Sequence, residues 1–206
     1  ACLVVIIINK QLVSYGGDVA VGAYGIANRM MFFFVMVVIG INQGMQPIAG
    51  FNFGAKHYTR LNQVLKYAIT IATGIWIVGF IVCVLLATPV ASAFTNDEEL
   101  LKEAAHALRV MNLVVPIIGF QMITIGFFQS IGKAGISIFL SLTRQLLFLV
   151  PLLLILPNFF GLEGIWYSVP IADGTSAITA AIVLIYHMRK FKMRGKLENS
   201  NLQTEI

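Results

Sequence analysis

Two ionisable residues stand deep inside apolar runs, where a charge needs a reason. Asp173 lies nine residues past Gly164, and Arg29 lies ten residues past Val19. At a rise of about 1.5 Å per helical residue, these offsets put them roughly 13 Å and 15 Å from one face of a membrane. Charge at that depth is costly in hydrocarbon, so it faces a bundle interior or a water-filled cavity. Matched depth and opposite sign allow an Asp173–Arg29 ion pair. Such a pair has two readings, a gate or coupling-ion site and a structural pair that fixes helix register. Pro170, three residues before Asp173, removes a backbone donor and bends its helix, which presents the carboxylate to a cavity. Pro116 and Pro151 are expected to kink their helices in the same way. Lys10 and Arg144 stand about two turns from a span end, where long side chains snorkel to the interface.

Uncharged polar residues add to the pattern. Asn9, Asn28, Asn42, Gln43, Gln46, Asn112, Gln121, Gln129 and Gln145 fall in or near apolar runs. They either line a polar pathway, with Gln43, Gln46, Asn112 and Gln121 the candidates, or hydrogen-bond between helices at about 1 kcal/mol each. Met30, Met31, Met36, Met45, Met111 and Met122 supply either an adaptable cavity wall or ordinary packing.

Chemistry of other kinds finds no footing. Cys2 and Cys83 form no CxxC pair, and His57, His106 and His187 lie on separate elements without metal-ligand spacing. Gly50-x-x-x-Gly54-Ala-Lys56 lacks the spacing of a phosphate loop, and His57 follows where Ser or Thr is required. No Ser-His-Asp series or HExxH occurs, so neither an enzyme nor a cofactor is expected.

The elements that carry these residues are transmembrane helices. Of 206 residues, 58% are hydrophobic and 11% charged, and the mean hydropathy is +0.87. Soluble domains carry about 25% charged residues. The expected fold is an all-α bundle of about six transmembrane helices over residues 1–188, at about 1–14, 19–49, 67–88, 104–131, 136–156 and 165–188. Gly16 and Gly17 turn the chain after the first span, Gly50, Asn52, Gly54, Lys56 and Arg60 form a Gly-punctuated loop, and Pro157–Gly164 forms another. The first span is short, without Met or basic leader, and is expected to continue N-terminally in a longer protein.

The net charge of +5 gathers in alternate loops. One set holds Lys56, Arg60, Lys66, Lys133 and the basic run Arg189, Lys190, Lys192, Arg194 and Lys196. The other holds Asp18, Asp97, Glu98, Glu99, Glu103 and Glu163, with Lys102 the exception. Lys and Arg concentrate on the cytoplasmic side, so the basic then polar tail, 189–206, is expected inside. No basic face with interleaved aromatics points to nucleic acid. Membrane lipid is the expected surrounding partner.

A resemblance emerges from longer stretches. Tyr15-Gly16-Gly17-Asp18, Ala23-Tyr24-Gly25-Ile26-Ala27-Asn28-Arg29 and Gly40-Ile41-Asn42-Gln43-Gly44-Met45-Gln46-Pro47, running on to Gly50-Phe51-Asn52-Phe53-Gly54-Ala55-Lys56 and Arg60, resemble the start of the C-terminal lobe of the multidrug and toxin extrusion (MATE) family. Phe127-Phe128-Gln129-Ser130-Ile131-Gly132-Lys133-Ala134 and Pro170-Ile171-Ala172-Asp173 fit more loosely. The resemblance implies one lobe of a two-lobed, twelve-helix transporter in a bacterial inner membrane. It implies a missing N-terminal lobe as partner and a cavity between lobes that opens alternately inward and outward. Amphipathic or cationic solutes would be exported in exchange for protons or sodium. It also implies acids on the seventh and tenth helices in some members. The visible seventh helix has none, and in the tenth Glu103 only precedes Ala104–Ile131, which leaves Asp173 or the other lobe to carry coupling. The loop around Asn52 is either an inner-gate hinge or a static connector. A lipid-linked sugar flippase of the same broader superfamily and a non-transporting membrane scaffold are the alternatives.

Overall fold

The computed structural model describes the backbone of residues 2–204 and the side chains of residues 4–189. Among them the secondary structure is helical. α1 spans Cys2–Gly54 and breaks at Gly17, whose φ of 61° no side-chain-bearing residue adopts easily. The Gly-Gly-Asp turn is therefore a sharp kink between two helical arms. After it, Ala20, Ala23, Ala27, Phe34, Val38, Met45 and Ala49 are buried at helical spacing. This stripe packs α1 onto α2 (Tyr58–Phe80), α4 (Glu98–Met111) and α5 (Val115–Ser130).

Several boundaries differ from the sequence expectation. α1 continues through Gly50, Asn52 and Gly54, whose composition suggests a loop. Gly50 answers to packing instead: an added Cβ would lie 3.0 Å from the Ser130 carbonyl oxygen. Asn52 is buried, and its Nδ2 donates to the Ile48 carbonyl at 2.8 Å, within the helix. The chain turns just beyond, at Lys56, with φ 58°. α2 then starts at Tyr58, so the amphipathic stretch carrying Arg60 and Lys66 belongs to the helix.

α2 passes into a π-helical segment, Ile81–Leu85, and α3 (Ala87–Ser92) follows. Pro89 thus sits inside a short helix, and the break falls at Leu86, with φ −103° and ψ 23°. The fourth span is broken as well: α4 and α5 bend by 55° at residues 112–114. Pro116 stands in the first turn of α5, where a missing N–H costs nothing. α6 (Ala134–Leu142), a second π-helical segment (Thr143–Leu149) and α7 (Val150–Phe160) make the fifth span. Pro157 lies inside α7, and the expected Pro157–Gly164 loop narrows to Gly161, with φ 59°. α8 (Leu162–Thr204) carries Pro170 in its interior. The basic tail beyond Arg189 lies outside the described side chains.

By length and composition four helices are able to cross a membrane, five if the bent α4–α5 pair is one span. At about 1.5 Å per residue the 53 residues of α1 reach roughly 80 Å, more than twice a hydrocarbon core of about 30 Å. The Gly17 kink divides that length into two helical arms, so one straight crossing does not have to contain it.

α5 is the hub, packed against α1, α2, α6 and α8. Apart from Gln121, Thr124, Gln129 and Ser130 it is apolar, and most of its residues from Val115 to Phe128 are buried. α4 is the opposite, polar enough to reach the interface. Asp97 caps it: Oδ1 accepts from the Glu99 and Leu100 amides at 2.9 and 3.0 Å. Glu98 and Glu99 in the first turn and Arg109 in the last complement the helix dipole. Asp97→Ala is expected to lower stability by about 1 kcal/mol, read as a drop in the thermal midpoint of the purified protein. An unchanged midpoint would show that water replaces the cap without loss.

Candidate functional site

Asp173 is 3% exposed, and it is the one buried acid among the described residues. Its partner is Arg144, not Arg29. The Arg144 Nε donates to Asp173 Oδ1 at 2.6 Å, and the Arg144 side chain keeps 27% of its surface exposed. Arg29 is exposed on α1, off the buried stripe that Ile26, Ala27 and Phe34 define. A residue count matches the two in depth, but the azimuth of Arg29 on α1 does not turn it toward Asp173. The snorkelling expected of Arg144 is likewise corrected, since its head turns inward onto a carboxylate.

The second ionic arm comes from the π segment Thr143–Leu149, which places Arg144 against α8. π turns inside α-helices recur at functional sites. One turn further along α8, buried Ser176 accepts a hydrogen bond from Gln121 Nε2 on α5. The opposite ends of both groups are unmatched: Asp173 Oδ2 and Gln121 Oε1 are buried and have no hydrogen-bond partner. Pro170 is buried one turn before Asp173. Asn112, buried at the α4–α5 break, donates to the Leu108 carbonyl at 2.8 Å. An added Cβ on Gly174 would lie 3.7 Å from Val114, so this break faces the same stretch of α8.

The structure thus gathers Asp173, Pro170, Gln121 and the α4–α5 break that carries Asn112. It leaves out Arg29, Gln43 and Gln46, of which Arg29 and Gln43 are exposed and Gln46 is half-buried on α1. Lys56 and Arg60 lie exposed at the α1–α2 turn. Arg144 and Ser176 are the residues that sequence reasoning missed as site members. A depth count from the other face finds Arg144: it lies eight residues past Ile136, or about 12 Å in. In a core of about 30 Å, Asp173 stands roughly 17 Å from that face, close enough for a guanidinium to reach.

A second polar cluster ties the acidic ends of α4 and α8. His106 Nε2 lies 2.8 Å from Glu163 Oε1, and Trp166 Nε1 donates to Glu103 Oε1 at 3.0 Å. Beside it a cavity of about 440 Å³ is lined by Gly16, Val19, Ala20, Glu98, Glu99, Lys102, Glu103 and Leu162. Among the described residues no group of three His, Cys, Asp or Glu side chains is placed to hold a metal ion.

This architecture has known counterparts. The chain is 26% identical over 184 residues to the multidrug export protein MepA of Staphylococcus aureus, covering 89% of the chain and 40% of that relative. It superimposes with a TM-score of 0.86, at 23% identity, on an outward-facing multidrug resistance MATE family transporter of the MOP superfamily, covering 93% of the chain and 44% of that structure. The MATE multidrug transporter DinF-BH matches at 40% identity with a TM-score of 0.77, over 89% of the chain and 41% of that structure. The chain therefore spans less than half the length of the relatives it matches. The MatE family model covers residues 3–155, from the first arm of α1 into α7. With that match over most of its length, this multi-pass membrane protein belongs to the MATE family of transporters.

Proposed function

We propose that this chain is one lobe of a drug exporter that trades amphipathic or cationic solutes for protons or sodium. The observation that supports it most is the conjunction of the family match with Asp173, the one buried acid among the described residues, held within the helix bundle. Export against a gradient needs a site whose affinity for a driving ion differs between two conformations. A buried carboxylate is such a site, because its charge is costly unless a cation meets it. The lobe also has joints for a conformational change: the 55° bend between α4 and α5, Pro170 in α8 and the two π segments. In this reading a second lobe, N-terminal to this one, completes a central cavity that opens alternately to either side. The basic tail lies in the cytoplasm, opposite the acidic ends of α4 and α8.

The complete transporter carrying this lobe is expected to lower the accumulation of a fluorescent organic cation in bacterial cells stripped of their own pumps. Accumulation should return to baseline when either the proton or the sodium gradient is collapsed, which names the driving ion. Unchanged accumulation, with the protein shown folded in the membrane, would remove broad cation export and favour a lipid-linked sugar flippase.

A further inference from the structure

Two buried acceptor oxygens face an unmet requirement. Asp173 uses Oδ1 for Arg144 and leaves Oδ2 without a donor. Gln121 uses Nε2 for Ser176 and leaves Oε1 without a donor. Ser176 follows Asp173 by three residues, so the two side chains share one face of α8 about 5–6 Å apart. The Gln121 amide, bonded to Ser176, is thereby held within a side chain's reach of the Asp173 carboxylate. Carboxylate and amide oxygens are acceptors only, and a lone buried acceptor carries the full penalty of lost hydration. A proton on Oδ2, directed at Oε1, would satisfy both. So would a desolvated sodium ion bridging the two oxygens and the Ser176 hydroxyl.

Arg144 is built to make room. Its guanidinium holds one oxygen of Asp173 only, through Nε, rather than both in a fork. Its side chain keeps 27% of its surface exposed, so the head has somewhere to go on a long apolar stem. It also springs from a π segment, where the helical ladder is loosest. Among the described residues Arg144 is the one ionic partner of Asp173.

We propose that Asp173, Gln121 and Ser176 form a monovalent-cation site whose resting occupant is the guanidinium of Arg144. The incoming cation binds Oδ2 and Oε1, cancels the Asp173 charge, and releases Arg144 from Oδ1 toward the open face of the lobe. When the cation leaves, Arg144 returns and keeps the empty site neutral. This rests on reading the chain as half of an ion-driven exporter, and it identifies Arg144 as a positioning residue that competes with the driving ion.

The test is cation binding to the purified complete transporter, without drug and without a gradient. Protons are followed by the infrared band of a protonated carboxyl during acid titration, and sodium by binding of radioactive sodium. One of the two should saturate in the wild type, and that arm names the ion. Asp173→Asn should abolish it. Arg144→Gln should bind the same cation at concentrations about tenfold lower or less, because a neighbouring opposite charge alters cation affinity by about one to three powers of ten. Loss of the charge alone tightens binding at Asp173, so the Gln121→Leu arm is the one that assigns the three-residue site. Gln121→Leu, close in size, should weaken binding severalfold, and it decides the matter if Arg144→Gln does not fold. Binding that survives Asp173→Asn, Arg144→Gln no tighter than wild type, Gln121→Leu unchanged, or no saturation in either arm each overturns the proposal. Because binding is read without transport, a protein that binds the cation yet exports nothing leaves this site standing and counts against the exporter reading.

Discussion

Arg144→Leu is expected to destabilise the protein by about 3–5 kcal/mol in sodium-free, alkaline buffer, because it strands the carboxylate of a 3%-exposed Asp173 without a counter-charge. The reciprocal change should be milder. Asp173→Leu leaves an arginine whose side chain is already 27% exposed and able to reach water, so a loss of about 1 kcal/mol or less is expected. Changing both residues to leucine should return stability to within about 1 kcal/mol of the wild type, since apolar replacement of a buried pair is often neutral or better. Thermal unfolding in detergent, followed by tryptophan fluorescence, reads all three. Stability equal to wild type for Arg144→Leu alone would show that Asp173 is not charged in the folded protein, and would remove the ion pair as a structural element. The double variant also separates stability from function. It should be folded yet unable to couple export to an ion gradient.

The second large effect concerns how α1 and α2 dock on α5. An added Cβ at Gly126 would lie 1.8 Å from Asn42 Oδ1, closer than any contact allows. Gly126→Ala should therefore cost about 1–3 kcal/mol by overpacking. The obstruction is a side-chain end and not backbone, so a partner change relieves it. Asn42→Ala is expected to restore the Gly126→Ala protein nearly to wild-type stability. On its own it should be almost neutral, since Asn42 Oδ1 is buried without a partner and its Nδ2 contact to the Met122 carbonyl is long, at 3.5 Å. Gly119 on the same helix offers the contrast. A Cβ there would meet the Ala72 carbonyl oxygen at 2.9 Å and the Trp76 ring at 2.5 Å, and backbone does not rotate away. Gly119→Ala should lose a similar amount, with no single second substitution rescuing it. The same unfolding assay distinguishes the two. If Asn42→Ala fails to rescue Gly126→Ala, the clash is not the cause of the loss.

Much of this architecture is legible in the sequence because its cues are local. The apolar runs mark the spans, and Gly17, Gly132 and Gly161 hold the positive φ values that break them. The Gly-Ile-Asn-Gln-Gly-Met-Gln-Pro run points to the family that residues 3–155 match. What escapes depends on rotation about helix axes. A residue count fixes depth to a turn or so but not the face, and that is why Arg29 is paired with Asp173 from the sequence while Arg144 is read as snorkelling. The segment from Gly50 to Gly54 misleads for a related reason. Its small residues suggest conformational freedom, whereas Gly50 is small because the Ser130 carbonyl approaches it. The turn itself falls on Lys56, a residue type with no preference for positive φ. Gln121 is a candidate from its type alone, but nothing in the sequence ties it to Ser176, 55 positions away.

The π-helical segments Ile81–Leu85 and Thr143–Leu149 bear on how this lobe tolerates insertions and deletions. A wide turn takes up one more residue than an α turn does, and one residue is worth about 100° of rotation around the axis. Deleting a single position from Thr143–Leu149 would therefore let the wide turn tighten into an α turn and keep Leu153 of α7 in the core, whereas the same deletion in a regular turn would rotate it away. In these two helices a gap of one that falls within the wide turn leaves the facing of the flanking residues unchanged, and positions on either side of it remain comparable by residue type.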